Sequence, residues 1–152
     1  TGDGMISSGA KQFLDEEAQS ILYQADTISA WPSRIKENMM KFGETVKKYV
    51  SAGKTVAGYG APTKATLLMD ISELGCSDIS FMVEDNLLKV DKFMPGTGVP
   101  ILDIVELQLR KPDIIVIFAW NFCDDIIAKL KAQVDWPATF LVPLPDFVEE
   151  NW

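Results

Sequence analysis

The chain has 152 residues, 47% of them hydrophobic and 24% charged, the size and make-up of one globular domain able to bury a core. Its 22 acidic against 14 basic residues leave a net charge of −8, which argues against nucleic-acid and membrane-surface partners, since both need clustered Lys and Arg. The absence of histidine removes Ser-His-Asp and Cys-His machinery, and Cys76 and Cys123, without C-x-x-C spacing, indicate neither a metal site nor a disulfide scaffold.

Residues 1–10 are rich in Gly and Ser and read as a flexible start without a basic-then-apolar signal pattern. No apolar run reaches the length of a membrane span, so a cytoplasmic protein in a reducing compartment is expected. Leu14, Ala18, Ile21, Ala25 and Ile28 recur at helical spacing and predict a helix from Lys11 to about Ser29, broken at Trp31-Pro32. A second helix starts at Ser33 as N-cap, carries Ile35, Met39, Phe42 and Val46 on one face, and closes at Gly53. These helices form a segment over 11–52 that packs on an α/β domain over 53–152. The first of them could equally dock a neighbouring domain or a second copy of the chain.

From Lys54 the pattern alternates. Thr55 to Ala57 read as a buried strand, Gly58 and Gly60 allow a tight turn, and Pro62 suits the first position of a helix from Thr63 to Leu74. A strand Ile79 to Val83 follows, then a Pro/Gly-containing excursion from Lys92 to Pro100, and a strand Ile101 to Val105. Ile114 to Ala119 is the most apolar strand and is placed centrally. Asn121 or Asp124 caps a helix from Asp125 to Gln133, and Thr139 to Pro143 is a last strand whose proline marks an edge or a strand end. Alternating strands and helices predict a Rossmann-like, mostly parallel sheet with helices on both faces.

Ligands of such sheets bind beyond the carboxyl ends of the strands, so the residues just after each strand are the candidates. They are Gly58, Tyr59, Gly60 and Ala61 with Lys64; Glu84, Asp85 and Asn86 with Lys89; Pro95 and Gly96; and Trp120 with Asn121. Backbone N–H groups at the glycine turn and the positive end of the following helix favour an anion such as a diphosphate. The turn is not a full dinucleotide fingerprint, because Thr63 stands where a third glycine belongs and Pro62 removes a donor. Glu84 or Asp85 occupies the place of a ribose-binding acid, and Tyr59 is the best local candidate for a polar or catalytic contact. Each residue also has an ordinary structural role, in turns, caps or core, and their shared placement is what favours a cleft.

The ordered motifs G-Y-G-A-x-x-K, V-x-D-N-x-x-K, P-G-x-x-x-P-I, P-D-x-x-x-x-x-A-W-N and F-x-V-P-L-P, running from Gly58 to Pro145, resemble the C-terminal domain of the S-adenosylmethionine-dependent sugar C-methyltransferases of deoxysugar biosynthesis. The resemblance implies that this stretch helps to enclose a nucleotide-diphosphate sugar and works beside a methyltransferase domain of the same parent chain. That other domain would hold S-adenosylmethionine, and no cofactor is expected here. The Gly58–Gly60 turn and Lys64 are then assigned to phosphate, and Glu84 to Asn86 to hydroxyls. Departures from the family pattern at Pro62-Thr63, Glu84-Asp85 and Gly98 leave room for a different sugar. A non-catalytic interaction module and an NAD-binding oxidoreductase domain are the alternative readings.

Overall fold

A computed structural model of the chain describes residues 7–20 and 25–152. The chain divides into two compact units, Thr1–Arg34 and Ile35–Trp152. In the first, helix α1 (Ser8–Gln19) starts at Ser7, whose hydroxyl accepts from the Ala10 N–H at 3.2 Å, and it buries none of its residues. Of the start expected to be flexible, residues 1–6 fall outside the described residues, as does Ile21 of the expected apolar stripe, whereas Ser7 to Ala10 form the cap and first turn of α1.

Helix α2 runs Ala25–Ser51 and contains Pro32 in its interior, so the expected break at Trp31-Pro32 is not there. Residues 28–37 are all exposed, and the Ile28 carbonyl that loses its helical donor to the proline can bond water at low cost. Further along, Met39, Phe42 and Val46 are fully buried in the second unit.

That second unit holds β1 (Val56–Tyr59), α3 (Thr63–Ile71), β2 (Phe81–Glu84), β3 (Lys92–Phe93), β4 (Pro100–Asp103), α4 (Val105–Arg110), β5 (Ile114–Ile117), a 3-10 turn (Trp120–Phe122), α5 (Cys123–Gln133), β6 (Thr139–Val142) and β7 (Val148–Asn151). The strands form one seven-stranded sheet in the order β3-β4-β2-β1-β5-β6-β7. From β4 to β6 neighbours run parallel, while β3 and β7 lie antiparallel on the two borders. This is the expected α/β class. The unbroken apolar runs of β1 and β5 are wholly buried, as strands covered on both faces must be.

Side chains alternate between two layers. Val56, Met82, Ile114, Val116 and Leu141 pack under α2 and α3, which contribute Met39, Phe42, Val46, Ala65, Leu68 and Met69. Ala57, Tyr59, Val83, Ile115, Ile117 and Phe140 pack under α4 and α5, through Leu107, Ile126, Ile127 and Leu130. The chain leaves β1 on one face and β5 on the other, and strand order reverses between these two strands, so the crevice at their carboxyl ends is the switch point where such folds bind ligands. Among the described residues no helix is long and apolar enough to cross a membrane.

Several element boundaries differ from expectation. Val105 opens α4 instead of ending a strand, because Leu107 turns inward onto the α5 layer at helical spacing. The strand Thr139–Val142 is not an edge, since β7 pairs with it, and Pro143 lies at its end. Ile114–Ile117 sits beside β1, the middle strand, and is paired on both sides. No side chain caps α5, and Asn121, expected as a cap, bonds Lys64 instead.

Candidate substrate site at the carboxyl edge

The glycine turn after β1 is closed by the protein itself. Gly58 is buried in β1, and a Cβ there would lie 2.2 Å from Met82 Sδ and 3.0 Å from the Phe118 ring, so this glycine makes room for core side chains. Gly60 takes φ +82°, which L side chains rarely adopt, and its N–H donates to the Val83 carbonyl at 2.8 Å. The next N–H, of Ala61, donates to Glu84 Oε2 at 2.9 Å. The amides that a phosphate would use at the turn are therefore engaged. No side chain caps α3, and with the Ala65 N–H donating to the Pro62 carbonyl at 2.9 Å, the N–H groups of Thr63 and Lys64 are the ones that can face solvent or a ligand.

Glu84 is the last residue of β2 and Asp85 follows it directly; their side chains bond groups on opposite faces of the sheet, continuing the strand's alternation. Glu84 Oε2 also accepts from Lys89 Nζ at 3.1 Å, and Oε1 accepts from the Asn86 N–H at 3.1 Å. Partial burial works to raise the Glu84 carboxyl, but the Ala61 and Asn86 N–H groups and the Lys89 ammonium outweigh it and hold it below the usual range. Lys89 Nζ donates in addition to the Ala61 carbonyl at 3.1 Å, tying the β2 loop to the turn. Asn86 makes a local turn of its own, accepting from the Leu88 N–H at 3.0 Å.

On the α5 face, the Tyr59 hydroxyl donates to Asp85 Oδ2 at 2.6 Å, and Lys129 Nζ reaches both the Tyr59 hydroxyl and the Asp85 carboxylate at 3.0 Å. Burial, followed by the bond to Asp85, pushes the Tyr59 phenol above its ordinary value. The phenol is thus a donor and a poor base. Burial would raise Asp85 too, yet the bonds from Tyr59 and Lys129 prevail and keep it ionised.

Between β1 and β5, Lys64 Nζ lies 4.1 Å from the centre of the Trp120 ring and donates to Asn121 Oδ1 at 2.9 Å. Trp120 packs against both apolar layers, and its indole N–H is buried without a protein partner. Pro95 and Gly96 stand elsewhere: with Thr97 they face Thr63, Thr66, Leu67 and Asp70 of α3 across a cleft of about 410 Å³. The candidate residues thus fall into neighbouring groups: the Glu84 latch, the Tyr59–Asp85–Lys129 network, the Lys64–Trp120–Asn121 pair at the switch point, and the α3 cleft.

The sequence profile of the C-methyltransferase C-terminal domain matches residues 2–145. The chain belongs to this family. A curated relative, C-methyltransferase NovU of Streptomyces niveus, is 38% identical over 103 residues, covering 68% of this chain and 24% of the relative. The chain thus spans about a quarter of the relative's length.

Within this C-methyltransferase C-terminal domain, the matched stretch includes every candidate residue named above. Lys129 is the residue that sequence reasoning missed. Its signal is positional: it stands three residues after Ile126 on the buried stripe of α5, where a lysine must find an acid or leave its charge stranded at the layer's rim.

Proposed function

We propose that this domain is the C-terminal substrate-binding part of an S-adenosylmethionine-dependent C-methyltransferase that acts on a nucleotide-diphosphate sugar, alongside a methyltransferase domain of the same parent chain. Lys64 carries this reading. It is a cation at the start of an uncapped helix, at the switch point of an acidic molecule, and its contacts are a neutral amide and an aromatic face. A diphosphate can claim such a lysine without first breaking an ion pair, and the free N–H groups of α3 add to its attraction. Trp120 supplies a flat wall beside it, and Asn86 and Asn121 offer amides to hydroxyls at the same edge.

S-adenosylmethionine is assigned to the rest of the parent chain, because the acid at the end of β2, the usual ribose ligand of a doubly wound domain, is here held by Ala61, Asn86 and Lys89. When bound there, it supplies the electrophilic methyl group of the reaction. Carbon methylation also needs a base to remove a proton beside a keto group, and the raised phenol of Tyr59 argues that this domain binds and orients substrate without taking that proton. A cytoplasmic setting fits cysteines that stay free.

Calorimetric titration of the chain with nucleoside-diphosphate sugars, NAD and S-adenosylmethionine tests the proposal. Saturable binding of the sugar nucleotide is expected, weakened about tenfold or more in Lys64→Met, since a charge-assisted bond to phosphate is worth about 1.5–3 kcal/mol. Binding of NAD instead would return the domain to the oxidoreductase reading. Silence with all three would make it an interaction module.

A further inference from the structure

The glycine turn has the outline of a phosphate site, yet its anion position is filled from within. A strand, two glycines and a helix start bring the Ala61 N–H to the place where an anion would sit, and what sits there is the Glu84 carboxylate, only 13% exposed. Its partners come from three directions: the Ala61 N–H at 2.9 Å, the Asn86 N–H at 3.1 Å and Lys89 Nζ at 3.1 Å. Lys89 also grips the Ala61 carbonyl, so the same side chain fastens both sides of the latch. An approaching phosphate would meet a negative charge whose donors are already spent, and it would have to evict that carboxylate or stay away.

We propose that Glu84 is a specificity-determining residue that closes the Gly58–Pro62 turn to phosphate. Anionic groups are thereby displaced to the uncapped start of α3 and to Lys64; this second half rests on the function proposed above, and the exclusion by Glu84 does not. The neighbouring acid, Asp85, is a built-in control. It carries the same charge one residue away, but it faces the other layer, where it bonds the Tyr59 hydroxyl and Lys129 Nζ and none of the turn's backbone amides.

Inorganic pyrophosphate is the probe, titrated into the 152-residue chain and followed by the amide signals of Ala61 and Asn86 together with the overall affinity. In the unaltered protein these amides should stay still while the Trp120 indole signal moves. In Glu84→Gln, which keeps the shape and removes the charge, both amides should move and affinity should rise about tenfold or more, as expected for removing one like charge at contact distance. Asp85→Asn should gain far less. Lys89→Met, which leaves the Glu84 charge and its backbone partners in place and removes a neighbouring cation, should give no gain. The inference is overturned if pyrophosphate moves Ala61 and Asn86 in the unaltered protein, if Glu84→Gln gains no affinity while retaining its native spectrum, or if Asp85→Asn gains as much. Pyrophosphate that fails to move Trp120 in the unaltered chain, yet binds Glu84→Gln at the turn, would sink the role of Lys64 and leave that of Glu84 standing.

Discussion

Tyr59 shows how one side chain changes meaning once its neighbours are known. Read from sequence, it is a hydroxyl at the mouth of a cleft; in place, it is a buried ring whose phenol is a fixed donor to Asp85, with Lys129 closing the triangle. Burial and the Asp85 carboxylate both raise its pKa and so suppress its ionisation, while Lys129 opposes them. Asp85→Asn should therefore let the phenol ionise at lower pH than in the unaltered protein, readable as a downward shift in the tyrosinate absorbance titration. No shift would mean that burial alone sets its acidity. The residues after β2 were legible as a group, because acids beside a strand end are a compositional signal. Which acid serves which face was not, since that depends on where β2 stops to within one residue.

At the scale of elements, the glycine turn was expected two residues early, since β1 runs on through Gly58 to Tyr59, and its physics was only partly read. Sequence shows that Gly58 and Gly60 are small, but not whether the vacant space faces a ligand or the core. For Gly58 it faces Met82 and Phe118, and a methyl group there overfills a packed layer. Gly58→Ala is expected to cost about 1–3 kcal/mol in denaturant unfolding, the Met82 thioether yielding more easily than the ring. A cost near zero would show that the layer has slack. Gly60 combines a positive φ with Ala119 Cβ only 3.0 Å from where a Cβ would stand, so bulk at that position strains the fold before it can report on any ligand. The helices were legible where their stripes are buried, as in α2 from Met39 to Val46 and in α5. Pro32 misled because a proline's penalty depends on whether the carbonyl it orphans can reach water, and exposure is not written in the local sequence. The short elements β3 and α4 carry too few residues for a period to show, and β7, as long as the inner strands, is mostly exposed and lacks their apolar run.

Across the whole sheet the two ends do different work. The carboxyl edge gathers Lys64, Glu84, Asp85 and Trp120, whereas at the amino edge a single carboxylate clamps β1 to β5: Asp113 bonds Lys54 Nζ at 2.8 Å and the Thr55 N–H and hydroxyl at 2.9 Å. The Lys54 side chain, followed by the Thr55 N–H, lowers the Asp113 carboxyl from 3.8 to about 2. A folded-state value below the unfolded one contributes stability that is complete above pH about 4 and is lost as pH falls toward about 2. With the side chain 37% exposed, solvent screening reduces the contribution to about 1 kcal/mol. Asp113→Asn should thus lower unfolding free energy by about that amount at neutral pH and converge with the unaltered protein only well below the folded-state value of about 2; a gap that persists there would assign the loss to packing.

The antiparallel borders have a consequence of their own. A stray polypeptide seeking to extend the sheet would find a stub of two residues, Lys92 and Phe93, on one flank, and the acidic strip Val148–Asn151 with Glu149 and Glu150 on the other. Neither flank offers a long neutral template, so growth into fibrils is discouraged at both ends of a sheet whose interior strands are among the most apolar in the chain.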